Sequence, residues 1–359
     1  MLDFTSALYL GMKHPSGSLR SWSHFTRGVP AALCELPDAN DVAQQVAALQ
    51  GCERGLLGTS TFHLFWDLFG MLCRMRIAVY VDAGTYPIAR WGAERAAARG
   101  VSVREFAHHQ AAALERSLTQ DVSNKLRPVV LTDGFCPACG EPAPLRAYLQ
   151  IVRGYGGWLL LDDTQALGIF GFSPGTDAPY GRAGGGMLRR LQLSGPDLLV
   201  ISSMAKAFGA PVAALTGSRK AVDEFELKSE TRMHCSPPSL PAIRAAHRAL
   251  AVNRAHGDEL RLRLCSLVSR FRRRALRVGF PCMEGVFPVQ TLVTEGNAYT
   301  LALHNRLLHC GVRSVLRYDD ATSAPRISFV ITASHTAEMI DHAIDVLAAN
   351  YSRPREFAT

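Results

Sequence analysis

The sequence predicts an α/β protein: a large, mostly parallel sheet sandwiched by helices, with a smaller α+β domain after it. Three observations predict this. From Ile77 to Ser203, short apolar runs of strand type alternate with helix-length stretches, the pattern of strands joined by helical crossovers. Those runs end on Asp82, Asp133, Asp162 and Ser203, and ligands in such sheets sit beyond the carboxyl ends of the strands. From about Pro237, long helical patterns take over, followed after Pro281 by short strands.

Taken in order, residues 1–55 read as an N-terminal arm and a helix, with Val42, Val46, Ala47 and Leu49 on its apolar face. Thr59, Ser60 and Thr61 are capping residues that open a second helix over Phe62–Cys73, and a helix start is a ready anion site. Ile77–Val81 is a strand, and Asp82 to Pro87 a loop. A helix (Trp91–Arg99), two strands (Val101–Phe106 and Pro128–Asp133), a helix (Pro144–Gly154) and a strand (Trp158–Asp163) follow. Phe172–Pro196 is rich in glycine and proline and reads as an inserted loop, either a lid or a plain surface excursion. Near the end lie a helix around Tyr299–Leu308, a strand Arg326–Ile331 and a helix from Thr336 to about Asn350. The predicted domains are 56–235 for the large one and 236–359 for the small α+β one.

The most informative stretch is Asp197 to Gly209. An apolar strand delivers two hydroxyls, Ser202 and Ser203, and then Lys206, followed by small residues and a glycine. A lysine at the end of a buried strand is costly unless it is paired or covalently used. A second apolar strand ends in Asp162. A strand-end lysine, a strand-end aspartate and nearby hydroxyls suit pyridoxal phosphate: a Schiff-base lysine, a partner for the pyridinium nitrogen and holders of the phosphate.

Composition narrows the class. The chain has 359 residues, 48% of them hydrophobic and 19% charged, enough for a large core and too mixed for a disordered protein. Net charge is +8, much of it in Arg261, Arg263, Arg270 and Arg272–Arg274, which read as a solvated helix face and not a nucleic-acid patch. Nine cysteines without a framework suit a reduced, cytoplasmic protein. The first residues lack the features of a signal peptide, and no apolar stretch approaches the length of a membrane span. Cys136-Pro137-Ala138-Cys139 has redox or metal spacing but stands without a second pair, so inert thiols and no metal site are expected. His108-His109 reads as the cap of a strand-to-helix turn, and His335 as a histidine satisfied by backbone.

Ordered motifs then bring a family into view. Leu8-Tyr9-Leu10-Gly11 with His14-Pro15, Thr132-Asp133-Gly134 with Gly140 and Ala143-Pro144-Leu145, Asp162-Asp163-Thr164-Gln165, Ser203 to Gly209, and Ile331 to Thr336 occur in family order across nearly the whole chain. The chain resembles the α-oxoamine synthases, pyridoxal-phosphate enzymes of aminotransferase fold type I, which join an amino acid to an acyl thioester with loss of carbon dioxide. The resemblance implies a cofactor linkage at Lys206 and a ring-nitrogen partner in Asp162. It also implies phosphate binding by Ser60, Thr61 and Ser203, a reach by Ser236 to the phosphate of a second subunit, and therefore a homodimer.

Four positions depart from the family pattern. Tyr86 stands where a histidine stacks on the ring, and can still stack. Gln165 replaces a histidine that bonds the phenolic oxygen; its amide can donate but cannot titrate. Pro137 replaces a loop serine. Ser328 replaces the arginine that grips the substrate carboxylate, a job a neutral serine cannot do, while Arg326 lies two residues away on the same strand face. The implied activity is thus amino-acid acylation from a coenzyme A or carrier-protein thioester. Transamination, decarboxylation or β- or γ-substitution on the same cofactor, and a non-catalytic partner subunit, stay open.

Overall fold

The computed structural model describes residues 1–34, 36–121, 126–319 and 322–350. A short strand β1 (Leu2–Asp3) and helix α1 (Pro37–Gln50) lead into β2 (Arg54–Gly58), α2 (Thr61–Leu72), β3 (Ile77–Asp82), α3 (Pro87–Ala98), β4 (Ser102–Phe106), α4 (Ala111–Asp121) and β5 (Arg127–Asp133). A small hairpin, β6 (Phe135–Cys136) and β7 (Glu141–Pro142), precedes α5 (Leu145–Gly154) and β8 (Trp158–Asp162). Next come α6 (Gly186–Leu191), β9 (Leu198–Ser203), β10 (Ala213–Gly217), α7 (Arg219–Lys228), α8 (Glu230–His234) and α9 (Leu240–Arg277). The chain closes with β11 (Val289–Thr291), α10 (Asn297–His309), β12 (Val312–Arg313), β13 (Val315–Tyr318), β14 (Pro325–Val330) and α11 (Ala337–Ala349).

Two units are formed. The large one comprises Met12–Cys136 and Glu141–Asp258; the small one comprises Met1–Gly11, Pro137–Gly140 and Glu259–Thr359. In the large unit the seven-stranded sheet has the order β2-β10-β9-β8-β5-β3-β4, and only β10 runs against its neighbours. The sheet is therefore mostly parallel, as the strand–helix alternation predicts. Strand β3 is buried at every position, the mark of a parallel strand covered on both faces. Val79, Val81, Val129, Leu131, Leu160, Leu199 and Ile201 form one core with Leu64, Phe65, Leu68 and Phe69 of α2 and Ala89, Ala93 and Ala96 of α3. The alternate positions Tyr80, Val130, Leu159, Leu161 and Val200 are equally buried, and period-2 alternation turns them to the opposite face.

Segment 172–196 is more structured than the plain loop expected from its composition. It contains α6, whose Gly186, Met187 and Leu188 are buried, and backbone bridges link Leu167 to Gly185 and Phe172 to Arg182. The Met187 N–H donates to Asp163 Oδ2 at 2.9 Å. The segment is a packed excursion fastened to the end of β8.

In the small unit, β11-β14-β13 form an antiparallel sheet. Phe329 of β14 packs on Phe271 of α9, ring centroids 4.9 Å apart, and on Phe4 at 5.4 Å. Much of the arginine-rich stretch of α9 is a paired helix face: Arg270 and Arg274 bridge to Asp341, and Arg274 also to Asp345, both on α11. His335 is satisfied by backbone, as expected: Nδ1 accepts from Thr332 N–H at 2.9 Å and Nε2 lies 3.0 Å from Asp3 O.

Candidate active site

The carboxyl ends of four parallel strands carry Asp82, Asp133, Asp162 and Ser203. Strand register sets their spacing. Asp133 lies opposite Asp162, and Asp162 opposite Ile201. On the other flank, Ser203 lies opposite Ala213, and Ala213 opposite Gly58, three residues before the start of α2. With about 4.8 Å between neighbouring strands, one end of one sheet holds the aspartates, Ser203 and the approach to α2.

Lys206 sits in the tight turn after β9. Ser203 Oγ accepts from Ala205 N–H at 3.2 Å, and Gly209, at φ 62°, donates its N–H to Lys206 O at 3.2 Å. Met204 and Phe208 on either side are fully buried and anchor the turn. The neighbouring loop comes so close that a Cβ on Gly168 would lie 2.5 Å from Ala207 Cβ. Burial lowers the Lys206 pKa below the ordinary lysine value, while Asp162 and Asp133 act against that.

Asp162 is buried, and its Oδ1 accepts from Thr164 N–H at 3.0 Å. Thr164 Oγ1 in turn accepts from Ser203 N–H at 3.0 Å, tying the end of β8 to the end of β9. Burial raises the Asp162 pKa; the hydrogen bonds from Thr164 and the charge of Lys206 oppose the rise. A cation placed against Asp162 would keep it ionised. Asp133 shows the same push more strongly, from burial first and then from the neighbouring Asp162 charge.

Tyr86 lies within reach of the lysine: Nζ of Lys206 is 5.6 Å from the centre of its ring. The ring is half exposed but its backbone is fixed. Tyr86 N–H donates to Asp133 Oδ1 at 3.1 Å, Pro87 starts α3 directly after it, and Arg90 donates to Thr85 O at 3.2 Å and Ala83 O at 3.0 Å. Ser60 caps α2, accepting from His63 N–H at 3.5 Å, and Thr61 is the first helical residue. Ser236 is exposed, and its carbonyl accepts from Thr59 Oγ1 at 3.4 Å. It therefore lies beside the start of α2 of its own chain. Gln165 is half-buried in the turn after Thr164.

These residues fit pyridoxal phosphate by their donor set. A capped helix start with hydroxyls, a buried carboxylate, an aromatic face and a partly buried amine gather at one sheet end. Arg326 and Ser328 belong to the small unit. Ser328 is buried, and its hydroxyl bonds Thr291 Oγ1 at 2.8 Å. Arg326 lies 3.8 Å from Asp319.

Sequence reasoning missed Thr164 and the tie from Asp133 to Tyr86. A hydroxyl two residues after a strand-end aspartate was a usable signal for the first. No local signal marks the second, because it joins residues 47 apart in the chain.

A model of the aminotransferase class I and II family matches residues 37–347. The chain is 29% identical over 360 residues to the 8-amino-7-oxononanoate synthase of Sodalis glossinidius, covering 97% of this chain and 87% of that one. It is similar in structure to a serine palmitoyltransferase variant from S. paucimobilis with bound PLP–myriocin, with a TM-score of 0.83 at 18% identity, covering 96% of this chain and 86% of that one. It is also similar to the 8-amino-7-oxononanoate synthase of Francisella tularensis, with a TM-score of 0.70 at 15% identity over 97% of each chain.

Proposed function

The chain belongs to the aminotransferase class I and II family, and on that premise we propose that it is a pyridoxal-phosphate-dependent acyltransferase of the α-oxoamine synthase type. It joins an amino acid to an acyl thioester with release of carbon dioxide and a thiol. The observation that carries the reading is the match to a curated synthase over 97% of the chain; a partly buried Lys206 just after β9, at the carboxyl end of the sheet, supports it.

Bound in this site, the cofactor supplies an electron sink for a carbanion at the substrate Cα. The residues of the chain do the rest. Asp162 would face the ring nitrogen and hold its proton. Tyr86, fixed through Asp133, would cover one face of the ring. Ser203, Ser60 and Thr61 would hold the phosphate, and Gln165 would donate to the phenolic oxygen. Lys206 would hold the cofactor's aldehyde carbon, and its amine, when free, would take the Cα proton at Nζ; burial lowers its pKa below the ordinary lysine value, which suits a base.

The reading extends to a homodimer in which Ser236 reaches the phosphate of the second subunit. Its place beside Thr59 at the start of α2 supports a role near phosphate. Cytoplasmic placement rests on nine cysteines without a framework. Arg326 is proposed as the group that meets the substrate carboxylate.

One observation favours a second reading on the same cofactor: Ser328 bonds Thr291 and offers no cation to a carboxylate. Product analysis separates the two. The purified protein with pyridoxal phosphate is given a panel of amino acids and acyl thioesters. Carbon dioxide and free thiol released in equal amounts, and lost in Lys206→Ala, are expected. Accumulation of pyridoxamine phosphate without carbon dioxide would replace the synthase reading with transamination.

A further inference from the structure

The loop that presents Tyr86 grows from a buried polar cluster at the carboxyl end of β3, and the proposed reaction makes no use of that cluster. Asp82, the last residue of β3, is buried. Its Oδ1 accepts from Gly84 N–H at 2.9 Å and its backbone oxygen from Thr85 N–H at 2.9 Å, which folds 82–85 into a tight turn. The other bonds to the carboxylate come from outside the loop. His108 Nδ1 lies 2.6 Å from Oδ1, while Oδ2 accepts from Tyr148 O–H at 2.9 Å and His109 N–H at 3.0 Å. Tyr148 is on α5, and both histidines are in the turn between β4 and α4.

The His108 ring also lies against the loop itself. A Cβ on Gly84 would come within 2.2 Å of its Nδ1 and Cε1. The bond to Asp82, first among the causes, pushes the His108 pKa up to about 10, so ring and carboxylate form an ion pair at neutral pH. The Tyr86 side chain has no such fastening: among the described residues its hydroxyl makes no hydrogen bond, and its ring meets only the Lys206 amine, at 5.6 Å. The direction of that ring is therefore inherited from the backbone that carries it. A group that must meet a ligand face is useful only when held to within about 0.5 Å of its place.

We propose that His108 is a positioning residue for the cofactor site: through Asp82 and Gly84 it holds the loop that sets the Tyr86 ring over the cofactor. The inference rests on the cofactor role proposed above for Tyr86. Its physical basis is the loss that follows removal of the ring. A buried carboxylate would lose its shortest bond, and Gly84 would lose the surface it rests on. The turn of 82–85 could then shift, and Tyr86 with it. An asparagine at 108 would keep an amide N–H about where Nδ1 stands, and so would keep the bond to Asp82.

A double-mutant cycle tests this, with the dissociation constant of pyridoxal phosphate as the readout and circular dichroism as the check of folding. Tyr86→Ala should weaken binding by about five- to tenfold, the worth of a ring contact. His108→Ala should weaken it by about three- to tenfold, and no more than Tyr86→Ala does. In the Tyr86→Ala background the same His108→Ala change should alter affinity by less than about twofold, because the ring it positions is gone. His108→Asn should restore most of the affinity. If His108→Ala does not fold, Gly84→Ala takes its place in the cycle, since its Cβ would run into the His108 ring and displace the same loop. Equal losses in the two backgrounds would show a general structural role and overturn the proposal, as would a folded His108→Ala with wild-type affinity. Unchanged binding in Tyr86→Ala alone would instead remove the cofactor role of Tyr86, and the inference with it.

Discussion

Asp163 shows how much one side chain sets at this sheet end. It is fully buried; one oxygen accepts the Met187 N–H, and a Cβ on Gly134 would lie 2.3 Å from the other. Burial first, and then the charge of Asp162, raise its pKa well above the usual carboxylate range. A carboxyl with a folded pKa above its unfolded value of about 3.9 binds its proton more tightly when folded. Its contribution is therefore intact at low pH and is lost as pH rises from about 4 through the folded pKa. Asp163→Asn keeps an acceptor for Met187 and cannot titrate. The variant should lose less stability than the wild type between about pH 5 and about pH 8 in urea unfolding; an unchanged pH profile would show that Asp163 is not the group responsible. At this scale the sequence was legible where charge interrupts apolarity. Lys206 and Asp162 stand out because ionised groups at the ends of buried strands are expensive. The Thr164–Ser203 and Asp133–Tyr86 ties were not legible, because they depend on which strands become neighbours.

Elements follow the same logic. The parallel strands β3, β5, β8 and β9 were legible as apolar runs long enough to be buried on both faces. Strands β2 and β10 were not. Their sequences, Arg-Gly-Leu-Leu-Gly and Ala-Ala-Leu-Thr-Gly, have few β-branched residues and end in glycine. They become strands because β9 offers a ladder to β10 and β10 in turn offers one to β2, and because glycine lets a helix approach. At Gly55 a Cβ would lie 2.3 Å from the backbone oxygen of Ala43 in α1. Backbone cannot rotate aside as a side chain can, so Gly55→Ala must move α1 or β2. It should destabilise the protein by about 1–3 kcal/mol, read as a lower urea midpoint with an unchanged slope. A midpoint equal to wild type would mean that α1 slides freely over the strand. The segment around α6 escaped the sequence for a related reason: its glycines signal a loop, and its order comes from Asp163, more than twenty positions upstream.

For the molecule as a whole, the proposed cofactor enters the stability of the fold through linkage. The groups that would hold it come from separate stretches of chain: Ser60 and Thr61 at the start of α2, Tyr86 before α3, Asp162 at the end of β8, and Lys206 after β9. Only the folded sheet brings them to one end, so a ligand that needs them all binds the folded chain and not the unfolded one. At about one hundred times its dissociation constant such a ligand adds about 2.7 kcal/mol, which for units of this size raises the melting temperature by about 5–10 °C. Pyridoxal phosphate should do this for the wild type. Pyridoxine phosphate, which lacks the aldehyde, should give a smaller shift because it cannot join Lys206. In Lys206→Ala the two compounds should shift melting equally, since ring and phosphate contacts remain and the covalent link does not. Scanning calorimetry at matched concentrations reads all four combinations. An equal response of the wild type to both compounds would remove Lys206 from its place at the centre of the site, while leaving the sheet and its ring of polar strand ends intact.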